Sequence, residues 1–118
     1  NSLLQLGTLL IFGSDAPVES ANPFLGLHAA LTRRRVSGEP GEEGWYPRQR
    51  IPLVQALNAY TSSPARSCGL GGSLGRVAVG YRADLTVLPR SPFLIDPHDL
   101  ARLLPEMTLV DGKVVFQV

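Results

Sequence analysis

The chain has 118 residues, 44% of them hydrophobic and 18% charged, which gives one domain's worth of chain with a modest core and argues against a disordered chain. Its formal net charge is +1, so no basic field points to nucleic acid and no acidic excess points to a cationic partner. The longest apolar run, around Leu9 to Phe12, is far too short to cross a bilayer. No charged segment followed by an apolar stretch is visible at the start, so a secretory leader is not expected, and the single cysteine, Cys68, excludes an internal disulfide and favours a reducing, cytoplasmic setting.

Residues 2–7, SLLQLG, read as the end of a helix closed by Gly7. TLLIF, residues 8–12, is a continuous apolar run of strand length without alternation, the pattern of a strand buried on both faces. Asn22-Pro23 is a helix start, with an N-cap side chain followed by proline at the first helical position. Phe24, Leu27, Ala30 and Leu31 supply that helix with a buried stripe, and Arg33, Arg34 and Arg35 suit a solvated C-terminal end.

Residues 37–50, SGEPGEEGWYPRQR, read as an exposed loop with Trp45 and Tyr46 as anchors or, less simply, as pocket lining. Pro52 opens a second helix, LVQALNAYT, with Leu53, Ala56, Leu57 and Tyr60 on one face. Ser63-Pro64 starts a third short helix, which the glycines after Cys68 end. GRVAVGYRADLTVLP then reads as two short strands around a turn at Gly80. Asp96-Pro97 caps a short helix to about Leu103. MTLVDGKVVFQV is a hairpin turning at Asp111-Gly112. There is no internal repeat. A strand followed by helices over the first 70 residues, then mostly strands over the last 44 or so, implies the end of an α/β unit joined to part of a small β-rich unit.

Few residues carry chemistry. The glycines of GLGGSLG, residues 69–75, do not fit a dinucleotide turn: a frame set on Gly69 and Gly71 puts Leu74 where the third glycine belongs. A helix stop and linker accounts for them better. His28 and His98 are 70 residues apart and belong to no paired metal motif, so each reads as a packing or surface residue. Cys68 reads as a small apolar residue in a helix. Asp15 is different. It follows the apolar run across a small Gly13-Ser14 step, where side chains of α/β folds face the active site. A turn-capping aspartate before Ala-Pro is an equal alternative on local sequence.

Four blocks, FGSDAPVESANPFLGLHAALTRR, GWYPRQRIPLVQALNAYTSSPAR, GSLGRVAVGYRADLTVLPRSPF and MTLVDGKVVF, together resemble the C-terminal quarter of a metal-dependent hydrolase. The family is the amidohydrolase superfamily, in its family 3 branch, which includes N-substituted formamide deformylase-like enzymes. The resemblance runs from about Ser2 to Phe116. It implies an α/β fold: residues 1–73 as the last strand and following helices of a (β/α)8 barrel, and 74–118 as part of a small β-sandwich. It implies hydrolysis of amide- or formamide-type C–N bonds by metal-activated water. Asp15 would be both a metal ligand and the acceptor of the water's proton. Asp84 of the ADL run falls to turn or strand-end hydrogen bonding.

The family's H-x-H pair, its middle-strand Lys or Glu and its two further histidines have no counterparts here, and a full barrel takes about 250 residues. The expectation is therefore a chain inactive by itself, with a divalent metal, zinc foremost, held only in a full-length enzyme. The implied partner is a small amide-type substrate, with no nucleic acid or membrane. Self-association, or pairing with a missing N-terminal part, would cover TLLIF; otherwise TLLIF would join the later strands. The rival reading is a non-catalytic α/β module that works by self-association or by packing on another chain.

Overall fold

The computed structural model describes residues 1–118. Four helices come first: α1 (Ser2–Gln5), α2 (Pro23–Thr32), α3 (Leu53–Tyr60) and α4 (Ser62–Ser67). Three strands follow: β1 (Leu85–Val87), β2 (Met107–Val110) and β3 (Lys113–Gln117). No helix is long and apolar enough to cross a membrane.

The helix boundaries obey local chemistry. After α1, Gly7 takes φ +78°, which lets its own N–H reach Leu4 O at 2.9 Å and the N–H of Thr8 reach Leu3 O at 3.0 Å. That pair of bonds satisfies carbonyls the helix end would otherwise orphan. At the start of α2, Asn22 Oδ1 accepts from the Phe24 amide at 2.9 Å, with Pro23 at the first helical position. At its end, Arg50 Nε donates to Thr32 O at 3.2 Å, placing a cation at the negative pole of the helix.

The core gathers α2, α3 and the segment between β1 and β2. Phe24 and Leu27 pack with Ile51, Ala56, Ile95, Leu100 and Leu103 in one buried cluster, and Leu53, Leu57, Tyr60, Ala30 and Leu31 lean on it half-buried. The predicted stripes of α2 and α3 are thus the ones that face inward. Ile95, Leu100 and Leu103 belong to the segment between β1 and β2, so that segment is pinned onto α2. Only eleven of 118 residues are buried, and the radius of gyration is 14.9 Å against about 13.5 Å for a compact chain of this length. Much apolar surface therefore remains open.

The sheet is antiparallel in the order β1-β2-β3. Leu85 pairs Leu109, and across the hairpin Met107 pairs Gln117 and Val110 pairs Lys113, with an irregularity between Thr108 and Leu109. The hairpin turns as expected, with Asp111 at φ 50° and Gly112 at φ 75°, the left-handed pair that a tight two-residue turn needs. Asp84 Oδ1 accepts from the Asp111 amide at 2.7 Å, and the Gly112 amide donates to Ala83 O at 3.1 Å. The ADL aspartate therefore ties the start of β1 to the hairpin turn.

Several expectations are corrected. Residues 8–12 form no strand. Their one bond to a distant element is Phe12 N to Ala59 O, 2.9 Å, and Leu9 and Ile11 are exposed rather than buried on both faces. A strand exists only with a neighbour to complete its ladder, and no segment of this chain pairs with TLLIF, the later strands included. Of the two strands expected around Gly80, only the second forms; Val77 and Val79 stand in solvent. The helix expected from Asp96 is reduced to a 3₁₀ turn at Leu100–Arg102, although Asp96 Oδ1 does accept from the His98 amide at 2.8 Å. Cys68 is exposed at the end of α4, not an apolar packing residue.

Candidate active site

Phe12 fixes where the apolar run ends. Its amide is bonded to α3, and its ring meets Tyr60 edge-on at 5.4 Å. The chain then turns across Gly13 and Ser14 to Asp15. A Cβ on Gly13 would sit 3.3 Å from Asp15 Oδ1, so glycine lets the carboxylate fold back over the backbone. Asp15 takes φ 52°, and its carbonyl accepts from the Val18 amide at 3.0 Å. The turn is thus closed by main chain. The carboxylate is exposed and has no ion-pair partner in the chain.

That carboxylate borders a cavity of about 670 Å³, between the end of the apolar run and α2. Ile11, Phe12, Gly26, Arg33 and Tyr60 line it with Asp15. Gly26 is essential to its shape, because a Cβ there would overlap the Tyr60 hydroxyl. A glycine in mid-helix costs roughly 0.5–1 kcal/mol relative to alanine, and the close approach of Tyr60 is what requires it. Burial raises the Tyr60 phenol above its ordinary value of 10.0, so at neutral pH it stays a protonated donor.

The two histidines, separated by 70 positions in sequence, meet in space with ring centres 6.1 Å apart. His28 is buried, with Nδ1 3.0 Å from Pro97 O and Nε2 3.5 Å from Thr32 Oγ1. Since Pro97 O can only accept, Nδ1 carries the proton, and His28 clamps α2 to the 92–102 segment. His98 lies exposed beside it. Packing is therefore the role of His28, as the sequence suggests. Its proximity to His98 left no trace in the sequence, because both sit in unrelated local patterns. The lone glycine inside a helical pattern was the available signal for the Gly26–Tyr60 contact.

Trp45 and Tyr46 stack edge-on at 4.9 Å, and the Arg33 guanidinium lies 5.1 Å from the Trp45 ring centre. The aromatics do anchor their loop, but from the outside. Arg33 and Arg34 are half-buried and bonded to loop carbonyls; only Arg35 fits the solvated helix end. A catalytic zinc takes three protein ligands and an open position, and no three His, Cys, Asp or Glu side chains converge in this chain. The residues present do not by themselves fit a metal ion.

A sequence model of the amidohydrolase family, in its family 3 branch, matches residues 1–116. The chain belongs to the amidohydrolase family. It is 35% identical over 116 residues to the protein YtcJ of Bacillus subtilis (strain 168), covering 98% of this chain and 22% of that protein. It is 31% identical over 116 residues to the N-substituted formamide deformylase of Arthrobacter pascens, covering 98% of this chain and 21% of that enzyme. Its fold matches the crystal structure of an amidohydrolase from Thermotoga maritima MSB8 with a TM-score of 0.70 at 24% identity, over 99% of this chain and 25% of that one. The chain therefore spans about a fifth of the length of these two relatives.

Proposed function

We propose that the chain forms the C-terminal part of a metal-dependent amidohydrolase that cleaves C–N bonds of amide or formamide type. On this reading residues 1–73 are the last strand and following helices of the hydrolase barrel, and residues 74–118 belong to the small β-rich domain beside it. The observation that carries the reading is the Asp15 carboxylate. It stands at the end of an apolar run that lacks strand neighbours, unpaired and on the rim of a cavity, in a chain 31% identical to a formamide deformylase.

Asp15 is the catalytic residue of this reading. A carboxylate so placed can accept a proton from an attacking water and return it to the departing amine. The divalent metal of such an enzyme, zinc foremost, would draw its other ligands from residues outside these 118, with Asp15 as this chain's contribution. The chain alone is then expected to be inactive.

The experiment is a hydrolysis panel of N-substituted formamides and simple amides. It is run on the 118-residue chain and on a protein joining it to the remainder of the amidohydrolase fold. Amine release is expected only from the longer protein. Turnover by the 118 residues alone, or none by the longer protein, contradicts the proposal. The second reading, a non-catalytic module that self-associates, is favoured by the exposed Leu9, Ile11, Val115 and Phe116 side chains. It predicts concentration-dependent assembly in light scattering with no hydrolysis by either protein.

A further inference from the structure

The turn beyond α2 places one exposed hydroxyl among arginines. Ser37 is exposed, as are Arg35, Val36 and Glu39 beside it. The backbone folds tightly there: the Gly38 amide donates to Arg35 O at 2.9 Å, and the Arg35 amide donates to Glu39 O at 2.9 Å. Ser37 Oγ donates to Glu39 Oε2 at 3.3 Å, and Arg35 Nη1 lies 3.8 Å from that same oxygen. A single carboxylate oxygen therefore separates the hydroxyl from the Arg35 guanidinium. On the next residue, Arg34 Nε donates to Gly38 O at 3.3 Å. A Cβ on Gly38 would sit 3.2 Å from Arg34 Nη2, so a second guanidinium stands beside the turn.

The present contacts hold the turn weakly. An ion pair as exposed as Arg35–Glu39 contributes little, and no residue from 33 to 50 enters the core cluster. The segment can therefore be drawn into another protein's cleft without disturbing the packing of α2. Of the serines and threonines of the chain, only Ser37 has arginines both two and three positions before it, Arg35 and Arg34. Protein kinases choose among exposed hydroxyls partly by such charge patterns, because the flanking charges fix how the acceptor oxygen meets the phosphoryl group.

We propose that Ser37 is a phosphorylation site for a protein kinase that reads the two preceding arginines, with a magnesium-bound nucleoside triphosphate as donor. Ser37 Oγ attacks the γ-phosphorus, and the Oγ–P bond forms as the bond from phosphorus to the β,γ-bridging oxygen breaks. The nucleoside diphosphate leaves with the electron pair, and the serine proton passes to the kinase's catalytic base. Phosphoserine carries about −1.5 to −2 charge at pH 7 and strong acceptor oxygens. Those oxygens project from Oγ to where Glu39 Oε2 now stands, so the phosphate replaces Glu39 as the partner of Arg35 and repels the displaced carboxylate. Arg34 and Arg35 also line the cavity that reaches Gly13 and Ser14, and modification neutralises charge on that wall. None of this rests on the hydrolase reading.

The chain is incubated with a protein kinase selective for arginine at these two positions and with ATP labelled in its γ-phosphate. Stoichiometric incorporation is expected in the unsubstituted chain and none in Ser37→Ala. Arg35→Gln should slow incorporation by at least about tenfold, the loss of a contact between charged groups. Far-UV circular dichroism checks that each variant is folded. Phosphorus NMR reads the arginine contact separately. The second ionisation of the phosphate, ordinarily at about pH 6, should occur at lower pH in the folded chain than in the same chain in urea, because a neighbouring guanidinium favours the dianion.

No incorporation, or incorporation that survives Ser37→Ala, overturns the proposal. So does an unchanged rate in Arg35→Gln. Ionisation at the same pH in the folded and the urea-unfolded chain overturns the exchange of Glu39 for phosphate at Arg35.

Discussion

Two apolar runs of strand-forming residues meet opposite fates in this molecule. Met107–Gln117 folds as a hairpin with a third strand at its side; Thr8–Phe12 stays unpaired, held by one distant backbone bond. The runs differ little in apolar character. They differ in where the partner lies. The hairpin carries its partner a two-residue turn away, at small loop-closure cost, and Asp84 braces that turn from β1. Thr8–Phe12 has no such neighbour within the chain. Strand formation is a property of a pair, and the run that waits for a partner is the one that leads to Asp15.

The largest effect should fall on the core that both regions lean on, since Phe12 and Leu88 each pack against it. Leu100 is fully buried there, and Leu100→Ala should cost about 3 kcal/mol in urea unfolding, as buried leucine truncations do. Next comes the hairpin turn. Gly112→Val forces a β-branched residue into left-handed backbone and should cost about 1–2 kcal/mol, with loss of strand signal in circular dichroism. The unpaired run should respond least. Ile11→Ser should change stability by less than about 0.5 kcal/mol, while reducing any self-association seen by light scattering. A large loss of stability from Ile11→Ser would mean that the run is already paired in solution.

Tyr60, against which Phe12 rests, gives the smallest effect. Its folded pKa is raised by burial, so the folded state holds a proton that the unfolded state has already released. The resulting stabilisation is fully present below pH 10 and is lost as pH rises through the folded value. Tyr60→Phe should flatten that alkaline decline in a pH series of urea melts. An unchanged slope would place the phenol in water.

Local chemistry was the legible part of the sequence. The Asn22-Pro23 cap, the Gly7 stop, the stripes of α2 and α3 and the Asp111-Gly112 turn are each set by neighbours within a few residues. What failed depended on distant partners. TLLIF has the composition of a doubly buried strand but no ladder here, and Val77 and Val79 carry β-branched side chains with nothing to pair against. Of the candidate site, the turn that carries Asp15 after the apolar run was legible, while local sequence left its carboxylate between turn cap and catalyst and only the resemblance of the four blocks favours the second. Arg33 and Tyr60 were not. One reads as a helix end and the other as a core position, and only the missing Cβ of Gly26 brings the phenol into the cavity of Asp15.

The central claim is that Asp15 is a catalytic carboxylate contributed by this segment. The most direct measurement is kcat/KM for formamide hydrolysis by the longer amidohydrolase, with and without Asp15→Asn. That change keeps size and polarity but removes the base. The expected result is a fall of about 10²–10⁴-fold, with circular dichroism and thermal midpoint unchanged. Hydrolysis at the unsubstituted rate in a folded Asp15→Asn protein would contradict it.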